Sequence, residues 1–582
     1  MLASLRRAAT GLAPPAIEPR IVAITLTSVV IVYLVLGPLL MLVFSTFRGT
    51  IGRLPFDPNA PWTLDNYVRV FFDPATYQVL VNTFLFAAGS LSLSFAISVA
   101  LAWLVERTDV PFKGTVYALT TASLGVPLII FAIAWTLLLN PSNGFVNVVL
   151  QDLFGLSGDG PLNVYSLAGL IFVQSVGLVP LTFLFITASF RSMDAALEEA
   201  ARTSGARHGA VVRRVTIPLM APALLSALVY QFVTVVESFD IPLIIGLRGD
   251  ISVLSTKIFS EIRPPGGLPD LGLASTYGIL LLLLSVGPLV LYNRMISRSE
   301  RFAVVSGHSY RPRQVELGLW KYPAVALVAT FMLVGFLLPA LVMIWTSIQP
   351  FYSLPSPESL ARITFDEYLA LLSSASVREV FINTALLGAA TASGAMVLGL
   401  LAGWIIVRTR TAARGLLDVV AFLPHAFPGV IIGLSIILIY LTLPVPIYGT
   451  LWIIVIALTT QELSLATRLM SAAIVQVNRQ LEEAAETSGA TWRQTITRVL
   501  FPLVTPSFVN GWLLVFLGSI KNLTLALLLF SSDSQVLSTL IWVRWDAGDT
   551  AGTAALSVLM LVVTIALAIP LRHMSVRHSS KL

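Results

Sequence analysis

One nine-residue segment occurs twice in this chain with a single difference. Residues 198–206 read EEAARTSGA, and residues 482–490 read EEAAETSGA, 284 positions further along. A proline follows each copy at the same distance, Pro218 after the first and Pro502 after the second. Self-similarity at a fixed offset indicates a duplicated structural unit.

The duplication extends upstream, where the offset is 301 residues. The matched residues are Thr63, Asp65, Tyr67, Asn82, Thr83, Trp103, Arg107 and Thr108 in the first copy and Thr364, Asp366, Tyr368, Asn383, Thr384, Trp404, Arg408 and Thr409 in the second. The simplest source of the changed offset is the segment 140–163, which is long, whereas its counterpart around 443–449 is short. Each half of the chain therefore carries the same elements in the same order.

The composition is that of a membrane protein. Of the 582 residues, 56% are hydrophobic and 11% are charged, and the mean hydropathy is +0.86, whereas soluble domains have about 25% charged residues. The net charge of +6 requires no nucleic-acid partner, because arginines in the loops that orient membrane spans account for it. The chain has no Cys, which excludes disulfides and thiolate metal sites.

Apolar runs of about 20 residues, enough to cross a bilayer core of roughly 30 Å, predict the spans. They lie near residues 21–46, 79–105, 115–139, 164–190, 217–247, 273–296, 321–347, 379–407, 415–441, 447–475, 502–530 and 551–572. Six runs per half is an even number, so both halves have one orientation. The predicted fold is an all-α polytopic membrane protein of about 12 transmembrane helices, built as two parallel six-helix halves (1–296 and 321–582) joined by a cytoplasmic linker (297–320).

The distribution of Lys and Arg predicts the orientation of these spans in the bilayer. With the N-terminus in the cytoplasm and alternating loops, most of the 36 Lys and Arg residues fall in cytoplasmic segments. The outer segment 140–163 has none. We therefore expect both termini, the linker and both repeated motifs to be cytoplasmic.

The repeated motifs, 191–218 and 475–502, each predict a short helix, a turn and a separate short basic helix. Acidic residues begin the first helix, where its dipole favours them, and Gly205 suits the left-handed residue that ends it. Pro218 suits the first turn of the following span. A surface helix that merely connects two spans is the alternative, but two copies that retain the acidic pair, the glycine and the proline argue against it.

This pattern resembles the EAA loop in the permeases of binding-protein-dependent ABC importers. The matching residues are Glu199, Ala200, Ala201, Gly205 and Pro218 in the first copy, and Glu483, Ala484, Ala485, Gly489 and Pro502 in the second. The resemblance implies that each loop is a coupling helix seated in a groove of a cytoplasmic ATP-binding subunit. It implies an ATPase-coupling role for these residues and for the preceding acids, Glu198 and Glu482.

ATP chemistry is not expected on this chain. A phosphate-binding loop of the type GxxxxGK[ST] requires a Gly-Lys pair, and the sequence contains none. The predicted protein is a transport subunit and not an enzyme. ATP and Mg would be bound by a separate partner ATPase, present in two copies, and no cofactor is expected on the permease.

The fused form resembles the ferric iron branch of these permeases. The stretches that carry this resemblance are FDIPLIIG at 239–246, SGHSYRPR at 306–313, PGVIIGLSI at 428–436 and LPVPIYGTLW at 443–452. It implies a periplasmic binding protein that delivers ferric iron to a permease in the bacterial inner membrane. Thiamine, polyamines and phosphonates are carried by relatives of the same branch and stay open as cargo.

Charges within spans are costly and usually functional. Glu237 and Lys521 hold equivalent positions near the outer end of the fifth predicted span of each half, and Asp240 is expected on the same helical face as Glu237. One interpretation is a pathway or gate formed by these three residues, with Asp240 as a transient stop for iron and no stable metal site. The alternative is that both charges snorkel to the outer interface.

Two other classes of protein fit this sequence less well. A secondary transporter driven by an ion gradient also shows repeats and buried acids, but it has no need of two matching loops for an ATPase. A membrane enzyme is disfavoured, because the sequence has no metal-ligand cluster and no GxSxG motif.

Overall fold

The computed structural model describes residues 18–192, 195–264, 266–299, 314–411, 413–443 and 445–579. Within these ranges the chain is helical, and its only β pairing is three isolated bridges. The predicted all-α class is therefore confirmed. Residues 1–17 and the middle of the predicted linker, 300–313, lie outside the described part.

Among the described residues, ten helices are long and apolar enough to cross a membrane, and each corresponds to one predicted span. They are Pro19–Thr46, Pro74–Arg107, Leu167–Arg191, Gly209–Val236, Leu271–Pro288, Gly318–Ser347, Ala375–Arg408, Leu451–Gln476, Trp492–Ile520 and Thr550–Leu567. The shorter helices are Asp65–Phe72, Phe145–Phe154, Ala195–Thr203, Leu254–Ile262, Pro357–Ala361, Asp366–Ser373, Arg479–Thr487, Thr524–Leu529 and Leu537–Asp546.

The third predicted span of each half, near 115–139 and 415–441, is divided into two helical pieces that meet at a sharp angle. The pieces are Lys113–Ser123 with Leu128–Leu139, bent by 106°, and Arg414–Ala426 with Gly429–Thr442, bent by 109°. Pro127 and Pro428 stand at the same repeat position, directly before the second piece. Proline lacks an N–H and drives the preceding residue out of the helical region, so both copies break there. The number of spans is twelve if each bent pair counts as one.

The larger of two compact units comprises residues 40–388, 426–457 and 517–582. In it the helix Pro74–Arg107 packs along Leu167–Ser192. A Cβ at Gly89 would lie 2.7 Å from the side chain of Ile171, so any larger residue at this helix contact would require Ile171 to shift. Small residues let helix backbones approach in a membrane, where hydrophobic burial does not drive association.

The smaller unit comprises residues 1–39, 389–425 and 458–516. Here the helix Ala375–Arg408 approaches Leu451–Gln476 through glycines. A Cβ on Gly399 would lie 2.6 Å from the backbone carbonyl carbon of Ala466. The small-residue contact between the second and fourth helices therefore recurs in the second copy of the repeat.

The repeat is also visible as paired hydrogen bonds within the larger unit. Asn82 donates to the Ser252 carbonyl at 3.2 Å, and its counterpart Asn383 donates to the Gln535 carbonyl at 3.3 Å. Both bonds join the start of a long helix to the segment before the helices Leu254–Ile262 and Leu537–Asp546. Residues matched by the sequence offset thus have matched roles in the fold.

The described end of the linker is held at the end of the second helix. The Val315 N–H donates to the Arg107 carbonyl at 2.8 Å, and the Leu317 N–H donates to Asp109 Oδ1 at 3.0 Å. The bond from Leu317 and the neighbouring charge of Lys321 lower the pKa of the Asp109 carboxyl. The end of the linker that leads into the second predicted half is therefore held in place.

Candidate functional site

The first EAA loop (191–218) contains a short helix, a glycine turn and a second helix. Helix Ala195–Thr203 is followed by Gly205, whose φ of +85° lies in the left-handed region that favours glycine. The Ala206 N–H donates to the Ala201 carbonyl at 3.0 Å across this turn, which satisfies a carbonyl at the end of the helix. The geometry agrees with the left-handed turn predicted from the sequence.

The second EAA loop (475–502) repeats this geometry. The Asn478 side chain caps helix Arg479–Thr487 by accepting a bond from the Gln480 N–H at 3.0 Å. Gly489 also has a φ of +85°, and the Ala490 N–H donates to the Ala485 carbonyl at 3.0 Å. The two turns therefore match in backbone conformation and in hydrogen bonding.

A π-helical segment precedes the proline in both loops, Val212–Thr216 before Pro218 and Thr495–Leu500 before Pro502. Proline donates no N–H, and its ring collides with the carbonyl four residues back, so the helix widens at this turn. The helices that continue through the widened turns are Gly209–Val236 and Trp492–Ile520. The separate short basic helix predicted before each span was therefore wrong.

The first acid of each EAA loop is turned toward its own chain. Glu482 accepts a bond from Arg408 Nε at 2.6 Å, and both side chains are about 90% buried. At the equivalent place, Glu198 lies 3.8 Å from Arg107 and accepts a bond from the Thr216 hydroxyl at 2.7 Å. Both acids were predicted to serve coupling to the ATPase, but in the structure they bind residues of the permease itself.

Other residues of each EAA helix are exposed. Leu197 and Leu481, at equivalent positions, are 40% and 48% exposed. Glu483 is exposed and pairs with Arg479 one turn earlier, at 3.0 Å. Of the remaining predicted residues, Ala200, Ala484, Gly205, Gly489, Pro218 and Pro502 are exposed, and Ala201 and Ala485 are half-buried. The side chain of Glu199 lies outside the described part of the structure.

The fifth helices end earlier than the sequence predicted. They end at Val236 and Ile520, so Glu237 and Lys521 follow a helix and do not lie within one. Asp240 is separated from Glu237 by two non-helical residues, so the prediction of one helical face was wrong. Pro242 cannot donate to the Ser238 carbonyl, which instead accepts a bond from the Ser255 hydroxyl at 2.6 Å.

Polar contacts follow these helix ends. The Thr524 hydroxyl donates to Asp240 Oδ1 at 3.2 Å, and the two residues are 284 positions apart, the offset of the repeat. The ammonium of Lys521 donates to the carbonyl of Leu124 at 2.6 Å. Leu124 ends the first piece of the broken span Lys113–Leu139, where a cation is favoured by the exposed carbonyls. In the described chain no three His, Asp or Glu side chains gather where they could hold a metal ion.

Sequence reasoning missed three functional candidates, Arg107, Arg408 and Thr524. Each had a signal in the repeat. Arg107 and Arg408 match at the offset of 301, and Thr524 stands at the position equivalent to Asp240. Their partners are distant in the chain, so only the fold reveals what they contact.

Comparison with known proteins agrees with this architecture. The family described as "Binding-protein-dependent transport system inner membrane component" matches twice, over residues 93–301 and 395–577. Each match contains one EAA loop, so the family's domain is present in two copies.

Similar proteins include two permeases that are named for the transport of ferric iron. The ferric transport system permease protein FbpB of Actinobacillus pleuropneumoniae is 25% identical over 86% of this chain and 72% of that protein. The Fe(3+)-transport system permease protein FbpB 2 of Haemophilus influenzae is 23% identical over 86% of this chain and 90% of that protein. A solved bacterial ABC transporter that imports alginate aligns with 49% of this chain and 99% of its own at 20% identity, and its TM-score of 0.36 is too low to support an argument.

Two family domains cover most of the chain, and both contain the loop geometry described above. The apolar helices are those of a multi-pass inner-membrane protein. The chain belongs to the family of inner membrane components of binding-protein-dependent transport systems, as a fused permease of an ABC importer.

Proposed function

We propose that this permease carries ferric iron, delivered by a periplasmic binding protein, across the bacterial inner membrane. The observation that carries the importer assignment is the pair of EAA loops with identical turn geometry, each with a glycine at φ +85°. The cargo assignment rests on relatives that are named as ferric permeases and match this chain over 86% of its length.

ATP hydrolysis takes place on a separate subunit in this proposal, with one copy bound at each EAA loop. The exposed side of the loops supports such docking, because Leu197 and Leu481 present apolar surface beside charged neighbours. The residues proposed to serve coupling are Glu198, Glu199, Ala200, Ala201, Gly205, Pro218, Glu482, Glu483, Ala484, Ala485, Gly489 and Pro502. ATP and Mg belong to the partner, and the permease needs no cofactor of its own.

The orientation follows from where the charges fall. Both termini, the linker 297–320 and both EAA loops are proposed to be cytoplasmic, because Lys and Arg concentrate in these segments. The halves are proposed as 1–296 and 321–582. The segments on the opposite side would then receive the loaded binding protein.

A polar constriction is proposed on the translocation pathway, formed by Asp240, Thr524 and Lys521, with Glu237 beside them. It is supported by the hydrogen bond between Asp240 and Thr524 and by the bond from Lys521 to Leu124. Because the described residues there supply few acids, we propose a gate for the cargo and not a stable metal site.

The experiment is reconstitution of the full chain in liposomes with the ATPase and the binding protein encoded beside its gene. Uptake of radiolabelled Fe³⁺ that requires ATP and all three components is the expected result. If the binding protein stimulates ATPase activity but no iron enters, the importer assignment stands and the iron assignment is rejected. Thiamine, a polyamine and a phosphonate would then be tested as cargo. Failure of any ATPase to associate with the permease would overturn the proposal.

A further inference from the structure

We propose that Arg107 and Arg408 are positioning residues that set how well each EAA loop transmits motion from its ATPase. We call the two arrangements the first clamp (Arg107 with Glu198) and the second clamp (Arg408 with Glu482). The inference deepens the proposed function and rests on it in one respect, that the EAA loops dock an ATPase.

The second clamp joins three helices through one guanidinium. Arg408 is the last residue of the helix Ala375–Arg408, and its Nε donates to Glu482 on the EAA helix at 2.6 Å. Its Nη2 donates to the carbonyls of Ile474 and Val477, at 3.0 and 2.6 Å. These carbonyls belong to the end of the helix Leu451–Gln476, where backbone acceptors lack helical partners.

The first clamp has the same plan. Arg107 is the last residue of the helix Pro74–Arg107 and donates to the Phe190 carbonyl at 3.4 Å, near the end of the spanning helix Leu167–Ser192. Glu198, on the EAA helix, lies 3.8 Å away. Arg107 and Arg408 match at one repeat offset, and Glu198 and Glu482 match at the other. Both copies therefore fix the first acid of the EAA helix to the ends of the second and fourth helices.

Arginine suits this task better than lysine does. Its planar guanidinium presents several N–H donors in fixed directions, so one side chain can bind a carboxylate and two carbonyls together. Burial excludes competing water, and a buried charge left without its partner is strongly destabilising. The EAA helix is thus constrained to move with the membrane-embedded helices and not to slide over them.

The two clamps differ in tightness. In the second clamp Arg408 lies 2.6 Å from Glu482 and also binds two backbone carbonyls. In the first clamp Arg107 lies 3.8 Å from Glu198. In the described structure Arg107 Nε is buried and has no hydrogen-bond partner, and Glu198 shares its carboxylate with Thr216. We therefore expect the second EAA loop to depend more on its arginine than the first does.

The test uses the full complex in liposomes and compares the substitutions Arg408→Gln, Glu482→Gln and the charge exchange Arg408→Glu with Glu482→Arg. Arg410→Gln is the matched control, because Arg410 is exposed and only two residues away. For each variant we measure cargo transported per ATP, the amount of bound ATPase, and hydrogen exchange of the amides in residues 479–489.

The expected result is a complex that still assembles but transports about two- to thirtyfold less cargo per ATP, the range typical of altered coupling between sites. Amide exchange in the loop rises in Arg408→Gln and falls back in the charge exchange, while Arg410→Gln behaves as the wild type. The corresponding change at Arg107 has the smaller effect.

Unchanged transport per ATP and unchanged loop exchange in Arg408→Gln would overturn the proposal. The proposal would also be overturned if the ATPase fails to bind in both single variants and in the charge exchange. Arg408 and Glu482 would then be needed for folding alone. Because loop exchange is measured independently of transport, a wild-type complex that imports nothing would refute the proposed function and still leave the clamp tested.

Discussion

Thr524 and Asp240 occupy the same position in the two copies of the repeat, and their side chains are joined by a hydrogen bond of 3.2 Å. Residues related by an approximate two-fold axis meet only where they approach that axis. In a fused pair of parallel halves, such an axis runs along the direction of transport. A polar contact at this place supports the gate proposed for Asp240, Thr524 and Lys521.

Removing the Thr524 hydroxyl should weaken this closure. Thr524→Val keeps the shape of the side chain but removes the hydrogen bond to Asp240. The closed state, in which this bond forms, should therefore become less stable relative to the open state. We expect ATP hydrolysis in the absence of binding protein to rise about two- to thirtyfold, as for other changes in coupled networks. The measurement is basal ATPase activity of the reconstituted complex.

The matched control is Thr505→Val, because the Thr505 hydroxyl bonds only to the Phe501 carbonyl of its own helix, at 2.7 Å. It should leave basal hydrolysis as in the wild type. Equal basal rates in both variants would show that the contact between Thr524 and Asp240 does not hold the resting state.

The glycine turns of the EAA loops give a second prediction. Gly205→Ala and Gly489→Ala introduce a Cβ at φ +85°, which costs about 1–2 kcal/mol in the left-handed region. Apart from the adjacent residues, no atom of the described structure lies within 4 Å of either Cβ, so the substitutions test the backbone conformation. We expect the stimulation of ATPase activity by binding protein to fall in both variants.

Gly209→Ala is the control for these two, since Gly209 is also open but lies in a helix without a positive φ. Alanine is the better helix former there by about 1 kcal/mol, so stability should be equal or higher. If Gly205→Ala and Gly209→Ala lose stimulation equally, the left-handed turn is not what the loop requires.

Much of the fold was predictable because the repeat is written in residues whose roles are local. Gly205 and Gly489 mark a left-handed turn that few other residues tolerate, and hydropathy locates apolar helices directly. The breaks at Pro127 and Pro428 cannot be located from hydropathy, because hydropathy averages over a window and does not register a missing N–H. Comparison of the two copies contained that signal, since both prolines stand at one offset.

The clamps were not predictable in the same way. Arg107 and Arg408 each end a long helix, and a basic residue at that place is common for reasons of the helix dipole alone. Their pairing with Glu198 and Glu482 depends on where the ends of two other helices lie in space. A sequence motif identifies the loop, whereas the fold identifies which of its acids faces inward.

Docking of the ATPase gives a third prediction. Leu481 is 48% exposed on the second EAA helix. Leu481→Ala should therefore change the free energy of unfolding by no more than about 0.5 kcal/mol. We expect weaker binding of the ATPase subunit, measured by titration of the labelled subunit onto the permease in nanodiscs. Leu503→Ala is the control, because Leu503 is 49% exposed on the adjoining spanning helix, where a bilayer would cover it. If the wild type, Leu481→Ala and Leu503→Ala bind the ATPase subunit with equal affinity, the ATPase does not dock on this part of the EAA helix.

The widened turn before each span gives the last prediction. Pro502→Ala restores an N–H and removes the ring, so the π-helical segment Thr495–Leu500 can tighten into an α-helix. A π-helical turn contains one residue more than an α-helical turn. Its loss would rotate the EAA loop relative to the spanning helix by about 100°, the angle between successive residues of an α-helix. The EAA loop would then present a different face to the ATPase, although the helix itself becomes no less stable. We expect normal or raised thermal stability together with lost stimulation by binding protein. Pro506→Ala separates this effect from the loss of any proline, because Pro506 lies inside the same helix with no widened turn directly before it. Full stimulation in Pro502→Ala would mean that the orientation of the loop does not depend on the π-helical segment.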